Sequence, residues 1–361
     1  MRKLSMGLAM ALVVGACGGD DNQPPMTPAS VDTTPPPPAA TAEAPNADAK
    51  PQPTMAELQE RTLKSYVDAM NARDAKKLAA LYAEGAVVKA AGAPDATGRD
   101  AIGASYQKLF DAFSTYKMAP SRVWTKDDVV VAEWAFNATH TGDLWGIKAT
   151  EKPVGAQGVD VMWFDKDGLV KEHHVYYDGA TILAQIGVSK QKARAVPALP
   201  PSAQRVAATG SADEGKNVEL AKAMSAAIES KKEADFVAAL TDDAEFEDLT
   251  MPLPSKGKAE AKKFFKAMVT AFPDAKVETH NAWGVGDFVI SESTMTGTNK
   301  GAFFGLPATK KAVSVRSLDI VQVKDGKIAK GWSYSNAADF MQQLGHMPAP
   351  KAPAAAAAKT P

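Results

Sequence analysis

The sequence predicts an α+β protein made of two tandem copies of one domain. Three observations predict it: helical apolar periodicity at the head of each half, apolar runs with hairpin signals in the remainder, and an internal similarity at an offset of 159 residues. Between Gly98 and Phe164 the first half aligns without a gap onto Gly257 to Val323 and shares 16 of 67 positions, where chance composition would leave about four. The shared pairs include Trp124/Trp283, Glu133/Glu292, Gly142/Gly301, Lys152/Lys311 and Asp160/Asp319. A one-residue change of length between Asp165 and Gly168 then brings Tyr176 onto Tyr334, Gln185 onto Gln343 and Gly187 onto Gly345.

Each copy opens with helices. Leu63, Tyr66, Val67 and Met70 recur at helical spacing, as do Leu220, Met224, Ala227 and Ile228 in the second copy. A short helix carrying Leu78 and Leu81 is matched by Val237 and Leu240, and a third helix follows Gly98 and Gly257. Strands come next, among them Val129 to Trp134 and Val313 to Val323, with Asp167-Gly168 and Asp325-Gly326 as hairpin turns. A last helix lies near Ile182 or Phe340. Helices followed by hairpin-linked strands predict helices packed on one face of an antiparallel sheet. The expected domains are 55–189 and 211–347, each able to fold alone, joined by a linker at 190–210 and followed by an Ala/Pro tail at 348–361.

Upstream, Arg2 and Lys3 precede a short apolar run that ends in Val14-Gly15-Ala16-Cys17. A run of about ten residues is too short to cross ~30 Å of hydrocarbon as a helix. The pattern resembles bacterial lipoprotein signals, with 1–16 removed and Cys17 lipidated as the mature N-terminus. That resemblance implies a cell-envelope protein held on a membrane through Cys17, and Gly18 after the cysteine favours the outer membrane. Residues 17–54 are rich in Pro, Ala and Thr and read as an unstructured tether.

The balance of 41 basic against 42 acidic residues supplies no basic field for nucleic acid. A single cysteine excludes an internal disulfide, a multi-cysteine zinc site and an iron–sulfur cluster. The chain has no G-x-S-x-G, H-E-x-x-H or phosphate-loop motif, and neighbouring His173 and His174 point to opposite faces of a strand. No cofactor and no metal are therefore expected. The expected partners are an apolar small molecule, the membrane, and another domain of the same kind, either the sister repeat or a second copy.

The segments Gly297-Thr298-Asn299-Lys300-Gly301-Ala302-Phe303-Phe304-Gly305, Asp325-Gly326-Lys327-Ile328 and Gln343-Leu344-Gly345 resemble the SnoaL-like polyketide or ester cyclase branch of the nuclear-transport-factor-2-like superfamily. The first copy carries a looser version at Thr139 to Gly146 and at Gln185-Ile186-Gly187. The resemblance implies a cone in which helices close one end of a curved sheet around an apolar pocket. It leaves the reaction open, because such folds host enzymes and binding modules alike.

Alternation along the last strand groups Glu172, His174, Tyr176 and Asp178 on one face, matched by Lys330, Trp332, Tyr334 and Asn336. Bulky aromatics opposite small residues suggest that this face looks into the cone. His174, Tyr176 and Asp178 are then the candidate catalytic residues, and Trp332 and Tyr334 candidate ligand contacts. Asp178 lies seven residues before Gln185, where the cyclase resemblance implies an acid/base aspartate; it also suits the N-cap of the last helix. His140 is either a turn residue or a substrate hydrogen-bond partner, and Trp145 is a further candidate ligand contact. Asp160 and Asp319 are either pocket acids or structural hydrogen-bond acceptors. Two functions remain: binding of an apolar small molecule or scaffolding without turnover, and a cofactor-free cyclase or isomerase acting in the first copy.

Overall fold

A computed structural model describes residues 52–90, 92–189 and 192–347. The signal segment, Cys17, nearly all of the tether and the tail from 348 onward lie outside the described residues. None of the described helices is long and apolar enough to cross a membrane.

The first repeat runs α1 (Met55–Ala72), α2 (Ala75–Ala80), β1 (Tyr82–Ala90), β2 (Ala96–Thr97), α3 (Arg99–Ala112), β3 (Lys117–Lys126), β4 (Val129–Thr139), β5 (Pro153–Phe164), β6 (Val170–Tyr177) and α4 (Gly179–Gln185). After β7 (Gln204–Ala207), the second repeats the order as α5 (Ala212–Glu229), α6 (Glu233–Ala238), β8 (Leu240–Asp248), β9 (Ser255–Lys256), α7 (Lys258–Ala271), β10 (Lys276–Val285), β11 (Phe288–Thr298), β12 (Ala312–Lys324), β13 (Lys327–Tyr334) and α8 (Ala337–Leu344). The α+β fold predicted from the sequence is thus present twice. The sheets are ordered β2-β1-β6-β5-β4-β3-β7 and β10-β11-β12-β13-β8-β9. They are antiparallel through the long hairpins and mixed at β1, which pairs parallel to β6, as β8 does to β13. Register shifts at Pro120/Arg122 and Thr279/Asn281 fall at the same place in both repeats, where a bulge sharpens the bend of the sheet.

Local chemistry explains the family-like segments. A reciprocal capping box between Thr54 and Glu57 starts α1, and Ser211 caps α5. In the Thr-x-x-Gly bend, the amides of Thr141 and Gly142 both reach the Ala112 carbonyl at the end of α3, as those of Lys300 and Gly301 reach Ala271. A side chain at Gly142 would overlap the Asp111 carbonyl oxygen, so this approach requires glycine. The Gln185 amide side chain accepts from the Gly155 N–H and donates to the Gly155 carbonyl, both at 2.9 Å, extending the β5 ladder; Gln343 does the same to Ser314. These motifs hold the fold together and leave the chemistry to other residues.

Each sheet has packing against both of its faces. One face packs on its own helices, through Leu63, Met70, Leu78, Ile102, Phe110 and Phe136 in the first repeat. The other faces pack on each other: Trp124, Val131, Val161 and Tyr176 from the first repeat form one core with Val285, Phe288, Ile290, Leu318 and Tyr334 from the second. At about 1.5–3 kcal/mol per large buried side chain, this inter-repeat core is comparable to the interior of a small domain. Separation of the halves would expose all of these side chains, which weighs against the expectation that each half folds alone.

The interval between the repeats differs from the loose linker expected. Its proline-rich stretch packs on the first sheet, with Val196 and Pro197 against Gly155, and β7 pairs parallel with β3 on the edge. Arg194 reaches the second repeat, donating to the Met251 carbonyl at 2.7 Å and pairing with Glu247.

Candidate functional site

The face assignment of β6 is corrected by the structure. Tyr176 lies in the core between the repeats and His174 contacts Glu292 of the second repeat, while His173 and Tyr177 face the interior of the first cone. Trp332 and Tyr334 likewise lie between the repeats, Trp332 over Arg122 and Tyr334 donating to Glu133. Alternation orders the residues correctly but does not say which face is inner when a sister repeat buries the outer one.

Asp178 caps α4. Its carboxylate accepts from the amides of Ala180 and Thr181, from the Thr181 hydroxyl, and from the Ala337 amide at the start of α8, at 2.8–3.1 Å. Burial pushes its carboxyl above the usual range while these four donors oppose the shift. The residue therefore ties the two C-terminal helices together. A crevice of about 10 Å³, room for a single water, lies beside it between Arg194, Thr181 and Leu249. A groove of about 140 Å³ runs along α1 between Leu63, Val67, Pro120 and Arg205.

His140 is fully buried, with Nδ1 3.0 Å from the Thr150 hydroxyl. Trp145 is 54% exposed at the tip of its bend, as is its counterpart Phe304 at 53%. Asp160 is buried inside the first cone, and Asp319 occupies the matching place in the second.

Around Asp160 the first cone assembles a polar chain. His173 Nε2 is 3.3 Å from Asp160 Oδ1, and His173 Nδ1 is 2.8 Å from the Tyr82 hydroxyl. Tyr82 and Tyr106 hydroxyls are 2.6 Å apart, and those of Tyr106 and Tyr66 are 3.2 Å apart. Burial, followed by the charges of neighbouring groups including Asp160, holds the Tyr66, Tyr82 and Tyr116 hydroxyls well above the usual range; Tyr106 is raised by the same burial. These phenols stay protonated and can donate. With the His173 proton on Nε2, each hydroxyl donates along the chain toward the ring and the ring N–H faces Asp160. The 3.3 Å approach is off the hydrogen-bonding direction, so His173 Nε2 has no hydrogen-bond partner. Trp134 Nε1 and His140 Nε2 are also buried without one.

The second cone replaces this chain with Ala223, Leu240, Phe265 and Gly331 at the positions of Tyr66, Tyr82, Tyr106 and His173. Phe246 fills the space opposite Gly331. Ser293, Met295 and Ala275 stand in for Trp134, Phe136 and Tyr116. The interior residues Met295, Val315, Ser317 and Asp319 are only partly buried, whereas Phe136, Ala156, Gly158 and Asp160 are buried. The Ser317 hydroxyl donates to Asp319 at 3.1 Å, and Asp248 accepts from Thr250; burial pushes both carboxyls up. Among the described residues no group of His, Cys, Asp and Glu side chains is placed to hold a metal ion.

Sequence reasoning missed Tyr66, Tyr82, Tyr106 and His173 as a group. Their signal was present as polar aromatics at cone-facing positions of the first copy whose counterparts in the second are apolar or small.

Two such cones back to back define a pseudo-dimeric α+β protein. The chain matches the SnoaL-like polyketide cyclase family over residues 60–186 and again over 218–344, and it belongs to that family. No curated protein matches the chain. Among solved structures it is similar to a candidate SnoaL-like polyketide cyclase from Jannaschia sp. CCS1, at 20% identity over 38% of this chain and 97% of that one with a TM-score of 0.36. A candidate polyketide cyclase from Bacillus cereus ATCC 10987 aligns at 27% identity over 36% and 80% with a TM-score of 0.31. An LEH-like epoxide hydrolase from M. tuberculosis aligns at 18% identity over 37% and 91%, also at 0.31.

Proposed function

We propose that the first repeat binds a small, largely apolar carbonyl compound and moves a proton on it, and that the second repeat serves as its built-in partner. One observation carries this reading. The same fold stands in the second repeat without the Tyr66–Tyr106–Tyr82–His173–Asp160 chain, so the fold does not require a polar network that is costly to bury. Asp160 would take the proton next to the carbonyl and hold it, with His173 standing beside that carboxylate, and a tyrosine hydroxyl turned out of the chain would donate to the oxygen as it gains charge. Catalysis in this reading moves from Asp178, His174 and Tyr176 to residues on the opposite strand face. The test is exchange of the α-protons of 2-tetralone in D2O, followed by NMR. The wild-type chain is expected to accelerate it, with Asp160→Asn lowering the rate by about 10²–10⁴-fold; exchange no faster than in buffer would remove the proton-transfer reading.

The more accessible interior of the second cone favours a second reading, in which an apolar molecule is bound there without turnover. Fluorescence of 8-anilinonaphthalene-1-sulfonate, compared between wild type and Met295→Trp, separates the two, because filling the second cone should abolish binding there only.

The N-terminal segment supports a third element of the proposal, anchorage to the cell envelope, at the outer membrane, through lipidated Cys17. Cys17→Ser should move the protein from the membrane pellet to the soluble fraction.

A further inference from the structure

Glu133 and Glu292 are the same position of the repeat, and each is buried between the sheets with a tyrosine of the opposite repeat donating to it, Tyr334 to Glu133 and Tyr176 to Glu292. Two carboxylates buried in one contact are unfavourable unless each keeps a cation beside it. They are neutralised differently. Glu133 is paired with Arg122 of its own repeat, and Trp332 of the other repeat lies 3.6 Å over that guanidinium. The counterpart of Arg122 is Asn281, whose amide donates to Glu292 Oε2 at 2.8 Å. The counterpart of Trp332 is His174, whose Nδ1 lies 2.7 Å from Glu292 Oε1. A fixed cation within one repeat has been exchanged for a titratable group reaching across from the other.

The second nitrogen of His174 is also engaged, with Nε2 2.9 Å from Glu172 Oε1. A neutral imidazole carries one N–H, and a carboxylate at each nitrogen requires two. The remaining charged and titratable neighbours do not replace it. On β1, Lys89 holds Glu172 at 2.6 Å; on β12, Arg316 lies over the Tyr176 ring with Nη2 3.3 Å from its hydroxyl; from β5, the Trp163 ring meets His174 edge-on. Among the described residues no other cation hydrogen-bonds Glu292. Burial would raise the Glu292 carboxyl, but His174, Tyr176 and Asn281 hold it below the usual range, so it stays ionised in mild acid.

From this asymmetry we infer that the contact between the repeats is a pH-responsive latch, permanent at Arg122–Glu133 and released at His174–Glu292 when the imidazolium gives up its proton. An imidazole that gains carboxylate partners on folding stabilises the folded state while protonated, and that contribution is lost as pH rises. Histidines ordinarily change charge between about pH 5 and 8, the range that a test must bracket. The strand that carries His174 carries His173 on its other face, so release reaches the wall of the first cone. This inference does not depend on the chemistry proposed for that cone.

The test is thermal unfolding of the full chain at about pH 5.5 and about pH 8.5 for wild type and His174→Gln. Comparing the two pH shifts cancels groups common to both proteins. Wild type is expected to lose about 2–4 °C more than the variant on going to the higher pH. Glu172→Gln, on the half-exposed side of the ring, provides a variant that leaves the buried pair intact, and its pH shift should be smaller than that of wild type. NMR of the histidine-labelled full chain should show both His174 nitrogens protonated at the lower pH. Equal pH shifts in wild type and His174→Gln, or a neutral His174 ring at about pH 5.5, would overturn the inference.

Discussion

The two cones share one fold and fill it differently. In the first, Tyr66, Tyr82, Tyr106, Tyr116, Trp134 and Phe136 crowd around Asp160 and His173; in the second, smaller residues leave Ser317 and Asp319 partly accessible. The difference teaches that the cone's shape is set by helix caps, bulges and the packing of the outer sheet faces, which both repeats keep. Interior residues are then free to diverge. A duplicated domain thus supplies its own internal control: a feature present in one copy and absent from the other is not needed for folding.

The largest effect should come from separating the copies. Residues 55–210 expressed alone should fail to give a stable monomer and should pair with themselves or aggregate, because the core formed by Trp124, Val131, Val161 and Tyr176 loses its cover. Analytical ultracentrifugation decides it, and a cooperatively melting monomer would show that the inter-repeat core is dispensable.

The proton-transfer reading predicts the next largest effect. Asp160→Asn should reduce 2-tetralone exchange by about 10²–10⁴-fold while Asp319→Asn leaves it unchanged, and equal losses would erase the functional distinction between the cones. A third contrast concerns the interface. Arg122→Ala leaves Glu133 buried without its cation and should cost about 3–5 kcal/mol. Asn281→Ala removes a hydrogen bond from a neutral amide to the Glu292 carboxylate and should cost less, about 1.5–3 kcal/mol, as read by urea unfolding.

The smallest effect is a pH signature. Burial raises the folded-state pKa of Asp319, so its ionised form opposes folding: its contribution is favourable below the ordinary aspartate pKa of about 3.9 and is lost as pH rises through the folded value. Asp319→Asn should therefore raise Tm at neutral pH, with the gain vanishing as pH falls below about 3.9. A gain that persists in strong acid would point to a cause other than ionisation.

Much of the fold was legible in the chain. The gap-free alignment of the halves placed the strands, Asp167-Gly168 and Asp325-Gly326 marked the hairpins, and Asp178 was readable as a cap because an aspartate before a helix satisfies its first amides. The parallel pairing of β1 with β6 was not, since β1 shows no clear alternation and its partner lies far along the chain. The candidate site was legible only in part: Asp160 is buried inside the first cone, where either of its two readings can hold, while His174, Tyr176, Trp332 and Tyr334 belong to the interface.

By itself the sequence determined the duplication, the element order and the caps, because these depend on residues close together in the chain or on identity between copies. Only the tertiary structure decided which face of β6 looks inward. Strand alternation has a period of two and is indifferent to the exchange of faces. Both faces of β6 carry large or polar residues because both are buried, one by the helices and the other by the sister sheet. Which of His173 and His174 faces the cone, and which neutralises a carboxylate of the second repeat, follows from that packing and from nothing local.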